Sequence, residues 1–440
     1  MTRKQSVLCA STALPLVLAA AAGVILPPSR ALANCTTAGV TTTCGSAAPN
    51  PYTSTIGTGP GLDGRTVEVL SGASVATVNA PAISLGDNAT INVRTGGAVS
   101  GNTVAGEGNF GSGPNIVEFN SNGTLLVEQG ASITQTGSNN RSEAVNVHGF
   151  GNTLTNYGTI SGTGSAAIWF EDTTTGTPRN TVDNFGTITR VGGGPVFGTN
   201  GGAGIVFRNE TGALVNGSLS FAGGNDDLFF FANSTVTGSI NGGGGTNNLT
   251  LQGAAGSSDT LAGALANFQT LTKDGLGRWT VSGSLTGFSS TTVNQGTLAL
   301  TGNNNNYAAG VLINPLGTLE ARAQSLPEQA NPADNLANVT NNGVLRFAQP
   351  DDGIYLGQVV GSGRVEKTGA GVLTLAPSAG AGNSYTGTTT INEGTVSVAA
   401  NDALGAAASG LILNGGTLRT TASFATARPA TLLAGGGTFE

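Results

Sequence analysis

Lys273-Asp274-Gly275-Leu276-Gly277-Arg278-Trp279-Thr280-Val281 leads, after a gap, to Thr291-Thr292-Val293-Asn294-Gln295-Gly296-Thr297-Leu298. Ninety-four residues after Lys273, Lys367-Thr368-Gly369-Ala370-Gly371-Val372-Leu373-Thr374-Leu375 leads to Thr389-Thr390-Ile391-Asn392-Glu393-Gly394-Thr395-Val396. A lysine, two spaced glycines, a short β-prone run and a Thr-Thr-(Val/Ile)-Asn-x-Gly-Thr turn make an internal repeat. Repeats of this kind indicate a stacked architecture before any local propensity is weighed. The motif residues are Lys273, Gly275, Gly277, Asn294 and Gly296, and in the second copy Lys367, Gly369, Gly371, Asn392 and Gly394.

The turn half of this unit recurs along most of the chain. Asn122-Gly123-Thr124-Leu125, Asn156-Tyr157-Gly158-Thr159-Ile160 and Asn184-Phe185-Gly186-Thr187-Ile188 are early copies, followed by the looser Asn209-Glu210-Thr211-Gly212-Ala213-Leu214. Pro315-Leu316-Gly317-Thr318-Leu319, Asn342-Gly343-Val344-Leu345, Asn414-Gly415-Gly416-Thr417-Leu418 and Gly436-Gly437-Thr438-Phe439 follow. From Gly123 the glycines are 35, 28 and 26 residues apart, and later spacings are 21 and 26 from Gly296, then 22 and 21 from Gly394. A period of 21–28 suits one coil of three short strands and three turns. Such a coil is too small to bury its own apolar side chains, so stacking must place like on like, with backbone hydrogen bonds running between coils about 4.8 Å apart. The expected fold is therefore all-β, a right-handed parallel β-helix. An array of immunoglobulin-like sandwiches would lack that period and would carry a core tryptophan per domain. The chain has two tryptophans, Trp169 and Trp279, without such spacing. Ala262–Phe268 is the one stretch with any helical pattern, and Gly263 interrupts it.

The N-terminus reads as an export signal. Arg3 and Lys4 precede an apolar run from Ala13 to Leu26, Pro27 and Pro28 break it, and Ala31-Leu32-Ala33 offers the small residues a signal peptidase reads. The run has fourteen residues, where a spanning helix needs roughly 20. Removal of residues 1–33 takes away Cys9 and leaves Cys35 and Cys44. In an oxidising compartment this pair is expected to close a small disulfide loop, contributing about 2–3 kcal/mol locally. A redox or metal role would want further His or Cys nearby, and there is none. The domain reading is 1–33 signal peptide, 34–64 cap or linker with the disulfide loop, 65–271 irregular coils, and 272–440 coils with the repeats.

Charge is sparse and acidic. Only 9% of residues are charged and the chain carries −7. The leader holds three basic residues (Arg3, Lys4, Arg30) and no acidic one, so the remainder is three units more negative. This excludes the basic patches that nucleic acid or anionic lipid requires.

The two blocks resemble the autotransporter-associated β-strand repeat of Gram-negative bacteria. The second copy matches closely, including Ser384-Tyr385-Thr386-Gly387 and Asp402-Ala403-Leu404-Gly405, whereas Gly287-Phe288-Ser289 departs from the pattern in the first. The resemblance implies an exported passenger presented at the cell surface or outer membrane, or secreted, and carried by an outer-membrane β-barrel translocator. It also implies adhesion, aggregation or biofilm contact, with surface glycans or proteins as partners. The chain stops at Glu440 inside another Gly-Gly-Thr coil, where the resemblance leads one to expect a further, barrel-bearing segment.

No catalytic, cofactor-binding or metal-ligating residue is expected, and the reading is non-enzymatic. Asp226 and Asp227 in Gly223-Gly224-Asn225-Asp226-Asp227 resemble a weak calcium nonapeptide, with the polar corner as the plainer account. His148 is the only histidine, without a nucleophile elbow in the chain, and is expected at a surface or corner. A polysaccharide-acting enzyme would need two carboxylates on one face. The candidates are Glu171-Asp172 beside Trp169-Phe170 and Asp351-Asp352 near Tyr355, each read as a lone acidic pair. Phe229-Phe230-Phe231 is read as core and stacking rather than a sugar platform. An inert stalk is the third reading. Mass spectrometry of exported protein should show a chain beginning at Asn34 with no free thiol; an intact leader or two free thiols would contradict this.

Overall fold

The computed structural model describes residues 34–106, 108–110, 113–171, 176–302, 310–327, 339–377 and 382–440. The expected leader and Asp172 lie outside the described residues. The chain is a parallel β-solenoid of about 16 turns with about 48% strand. Among the described residues there is no α-helix, only two short 3-10 turns at Ala323–Ser325 and Asn401–Leu404. Ala262–Phe268 is no exception: it contains the two-residue strand Leu265–Ala266.

The stacking follows from columns of like residues. The longest sheet runs from Cys35–Ala38 to Ala430–Leu432. One of its inward columns reads Val67, Ile91, Leu125, Leu154, Val182, Phe207, Leu228, Leu249, Leu271. The second sheet contributes Val75, Val99, Ile133, Ile160, Ile188 and Val215. The third contributes Ile83, Val117, Val145, Ile168, Phe197, Leu219, Ile240, Leu265 and Leu285. These residues are buried. A fourth sheet, Gly353–Tyr355 to Thr438–Phe439, lines the C-terminal coils. Strand-forming β-branched and large aliphatic residues alternate with Thr, Ser and Asn along each strand, which is the period-2 pattern of a sheet with one buried face.

Residues 34–64 join this stack. Cys35–Ala38 and Thr41–Cys44 form an antiparallel hairpin, and Thr41–Cys44 then pairs in parallel with Thr66–Val69. Cys35 and Cys44 face each other in the register and are disulfide-bonded. Tyr52 and Ile56 continue onto the next strands as single bridges to Val75 and Ile83.

A second inward column of the long sheet lies next to a corner and is chemically mixed. It runs Val69, Val93, Val127, Asn156, Asn184, Asn209, Phe230, Leu251, Lys273, Val293, Ile313, Asn341. The asparagines are fully buried but not unsatisfied. Asn156 Nδ2 donates to Asn184 Oδ1 at 2.9 Å, and Asn184 Nδ2 to Asn209 Oδ1 at 2.8 Å. Asn156 Oδ1 accepts from the Gly158 N–H at 3.1 Å, an Asx-type turn that holds the corner.

The recurring turn letters therefore describe two different corners. Asn156, Asn184 and Asn341 point inward, whereas Asn294 and Asn392 come one residue after the inward Val293 and Ile391. In the second kind the glycine adopts a left-handed φ, 66° at Gly296 and 65° at Gly394, which the first kind does not use. Replacing Asn184 by Ala should cost about 2 kcal/mol by removing the donor to Asn209 Oδ1 and the acceptor of the Gly186 N–H, while Asn156 Nδ2 keeps only the Thr187 carbonyl. Loss of hydrogen-exchange protection confined to the coils around Gly158 and Gly186 would check this; unchanged protection there would refute it.

Candidate functional site

Two arrangements carry chemistry: the corner built by the repeat, and a buried row of acids.

The repeat lysines are core residues. Lys273 is fully buried and Lys367 nearly so, each at an inward position next to an aliphatic or aromatic residue of the neighbouring coils. Their methylene stems fill the core and only the ammonium reaches the corner. Lys273 Nζ donates to the carbonyls of Asp274 (2.8 Å), Gly275 (2.6 Å) and Gln295 (3.2 Å). Lys367 Nζ donates to Thr368 (3.0 Å), Gly369 (2.5 Å) and Glu393 (3.2 Å). Two carbonyls belong to the lysine's own turn and the third to the Asn-x-Gly-Thr turn of the next coil. Burial lowers both ammonium groups to about 8, which leaves them cationic at neutral pH.

The glycines complete the joint. A Cβ on Gly296 would lie 2.3 Å from the Gly277 carbonyl oxygen and 2.6 Å from that of Gly275. A Cβ on Gly394 would lie 2.5 Å and 2.6 Å from those of Gly369 and Gly371. The two halves of the motif thus interlock across successive coils. Trp279 fills the core beside this joint and donates its Nε1–H to the Gln252 carbonyl at 2.9 Å.

The acid row lies on the third sheet. Ser84, Glu118, Asn146, Trp169 and Gly198 form one column, between the inward residues of each strand. Glu118 and Asn146 are nonetheless inaccessible to solvent. Glu118 accepts from Ser84 Oγ (2.6 Å), from the Asn109 N–H (3.1 Å) and from Asn115 Nδ2 (3.4 Å). Asn146 Nδ2 bridges Glu171 Oε1 (3.1 Å) and Glu143 Oε2 (3.4 Å). Ser165 Oγ holds the other oxygen of Glu143. His148 Nδ1 sits 3.0 Å from Glu171 Oε2, and its ring stacks on Phe110 with centroids 4.0 Å apart.

Burial raises Glu118 above the usual carboxylate range and pushes Glu143 up to about 7. At Glu171 burial acts upward too, but the hydrogen bonds from His148 and Asn146 prevail and the net direction is down. Asn146 Oδ1 and His148 Nε2 are buried without a hydrogen-bond partner.

His148 sits at a corner, directly after the strand Val145–Val147, with its side chain only 8% exposed. One expectation is corrected. Glu171 is not alone, because the solenoid brings Glu143 from the preceding coil to the same asparagine. Sequence reading missed Glu118 and Glu143 because residues 22–34 positions apart meet only once the coil register is known.

The other candidates are structural. Asp227 pairs with Arg179 (2.6 Å) and Asn248 Nδ2 (2.8 Å), and Asp226 Oδ1 accepts the Ile205 N–H (2.7 Å). Among the described residues no group of three or more His, Cys, Asp or Glu is placed to hold a metal. Phe170 is core, and Trp169 lies across Gly198, where a Cβ would come within 2.1 Å of the indole. Tyr355 is buried with its hydroxyl donating to the Pro327 carbonyl (3.2 Å), while Asp352 accepts the Val372 N–H (2.9 Å). Leu228 and Phe230 are core, and Phe229 carries the Arg208 guanidinium 5.3 Å from its ring centre.

Three segments, residues 271–300, 295–321 and 365–398, match the passenger-associated-transport-repeat family. The chain carries autotransporter passenger repeats. The middle segment was legible in the sequence only as the isolated turn Pro315–Leu319. An 80-residue stretch, 18% of this chain, is 46% identical to an adhesin autotransporter, BmaC, of Brucella suis biovar 1 (strain 1330). That stretch covers 2% of the Brucella protein, so this chain corresponds to a small part of its length. No solved structure matches.

Lys367→Met keeps the stem and removes the ammonium, leaving the carbonyls of Gly369 and Glu393 without its donation, while that of Thr368 keeps the Gln349 N–H. The expected cost is about 3 kcal/mol, seen as loss of amide protection on both sides of the joint. Equal protection in the variant and the parent would show that the ammonium is dispensable.

Proposed function

We propose that this chain is the exported passenger of an autotransporter, presented at the surface of a Gram-negative bacterium and acting by adhesion, aggregation or biofilm contact rather than by catalysis. The observation that supports this best is the succession of passenger repeats built into an unbroken solenoid. The leader at 1–33 would direct export, and an outer-membrane β-barrel would be the translocating partner. Adhesion is taken from the name of the Brucella relative.

The outer face suits many weak contacts. Much of the charge is neutralised between coils. Arg278 and Arg346 share Glu320 (2.7 and 3.2 Å), and Arg346 and Arg364 share Glu366 (2.9 and 2.7 Å). Arg94 joins Glu68 and Glu128 (2.7 and 3.0 Å). What is left for a partner is chiefly Thr, Ser and Asn, which favours neutral hydrogen-bonding surfaces such as glycans or proteins over nucleic acid.

The convergence of Glu143 and Glu171 favours, as a second reading, a polysaccharide-acting enzyme. Glu143 is 3% exposed and Glu118 is fully buried, so the acids do not line an open groove. Residues 34–440 fused to a heterologous outer-membrane barrel should make host cells aggregate or bind glycan- or protein-coated surfaces. Cells that display the fusion but neither aggregate nor adhere would refute the proposal. Cleavage of a polysaccharide panel that is lost in Glu171→Gln would replace it with the enzymatic reading.

A further inference from the structure

We infer that the Glu118–Glu143–Glu171 row is a proton-operated clasp between successive coils, holding the N-terminal part of the solenoid tightly in mildly acidic surroundings and loosening it above neutrality.

The geometry carries this. Carboxylates from three successive coils lie close together beside the third sheet: Glu118 is fully buried and pairs in register with Asn146, Glu143 is nearly buried, and Asn146 Nδ2 bridges Glu143 and the partly exposed Glu171. The groups facing them can be named from each packed element. The strand Ile83–Ser84 offers only a hydroxyl, from Ser84. The covering segment offers the neutral Asn109 N–H, the Phe110 ring and the Asn115 amide. Among the described residues the titratable or cationic neighbours are His148, beside Glu171 and acting on Glu118 as well, and Arg141, whose charge favours the ionised form of Glu171. Arg141 itself is exposed. Among the described residues, full ionisation would set two buried negative charges and the partly exposed Glu171 against one exposed cation and a histidine. Elsewhere the same solenoid avoids this by alternating Glu and Arg, as at Glu320, Arg346 and Glu366.

Glu143 is the titrating member. Ser165 Oγ can accept as well as donate, so a neutral Glu143 can give its proton to that hydroxyl while Asn146 Nδ2 bonds the other oxygen. Its folded value of about 7 stands above the ordinary 4.5. A raised carboxyl stabilises the fold fully below its unfolded value, and that contribution is lost as pH rises through the folded value. The window is therefore from 4.5 to about 7. Glu118 has the same sign, whereas Glu171, lowered, has the opposite sign and titrates below the window. Asp226, also raised to about 7, lies on a separate coil and would contribute to any whole-chain pH effect. The measurement must therefore be resolved along the sequence.

The test is hydrogen exchange with mass spectrometry on the exported chain at about pH 5 and about pH 8, with protection referred to unstructured peptide rates at each pH. Peptides covering 115–120, 143–148 and 166–171 should lose protection about tenfold or more at the higher pH. Glu143→Gln, the uncharged isostere, should hold these peptides protected at both. Glu118→Gln should reduce the drop without abolishing it. Equal protection of the parent at both pH values overturns the inference, as does an undiminished drop in Glu143→Gln. Failure of Glu143→Gln to fold overturns it too, because a neutral group would then be unacceptable where the clasp requires one.

Discussion

Every coil of this solenoid depends on its neighbours for its backbone hydrogen bonds. A coil of 21–28 residues has no partner strand within itself. Its strand N–H and C=O groups point along the stack, and each is satisfied only if the next coil arrives in register. A slip of one residue would turn the inward Val and Leu columns outward. The corners are the vulnerable places, because there the chain leaves the ladder and exposes carbonyls to a low-dielectric core. The inward column from Val69 to Asn341 shows the solution. Most coils place an aliphatic or aromatic residue there, and some place an Asn or Lys whose polar end returns to the corner it came from. An unpaired carbonyl buried in that position would cost about 1–3 kcal/mol, comparable to what an aliphatic side chain contributes by burial.

This explains which features were legible in the sequence. The period of the turns and the alternation of Val, Ile and Leu with Thr and Asn led directly to stacked parallel strands, because period and alternation are properties of the chain itself. The repeat letters were visible for the same reason. Their meaning was not. The direction of Lys273 and Lys367 was not legible, since nothing local distinguishes an inward lysine from an outward one; only the Phe347–Lys367–Ile391 alignment does. The Asn-x-Gly-Thr signature concealed two corners for a related reason. Asn156 falls an even number of residues after the inward Leu154, whereas Asn392 falls one after the inward Ile391. Parity relative to the core decides the direction of a side chain, and a motif search ignores parity.

The acids show the complementary limit. Glu118, Glu143 and Glu171 are separated in sequence by a coil length each, so no spacing rule of catalytic motifs would join them. Stacking makes them neighbours. Any residue type that recurs at the coil period in this architecture forms a line, whatever its neighbours in sequence are. The lines that do form are mostly self-neutralising, Asn with Asn or Glu with Arg, and this is why an acidic chain with few charges stacks without accumulating repulsion.

The acid row departs from that rule, and its location gives the departure a physical meaning. At the Glu320–Arg346–Glu366 ladder the charges are partly exposed, ionised and paired, so the coils there respond to salt more than to protons. Glu118 and Glu143 are buried, and burial is the largest influence on both, so ionisation there lacks the solvent that the partly exposed ladder has. The route to neutrality there is a proton. A solenoid transmits stability only between adjacent coils, so a change in charge at this row acts on the coils around it and leaves the distant lysine joints as they are. The N-terminal and repeat-bearing parts of one continuous stack are thus held by different chemistry, proton-dependent near Glu143 and carbonyl-capped near Lys273 and Lys367.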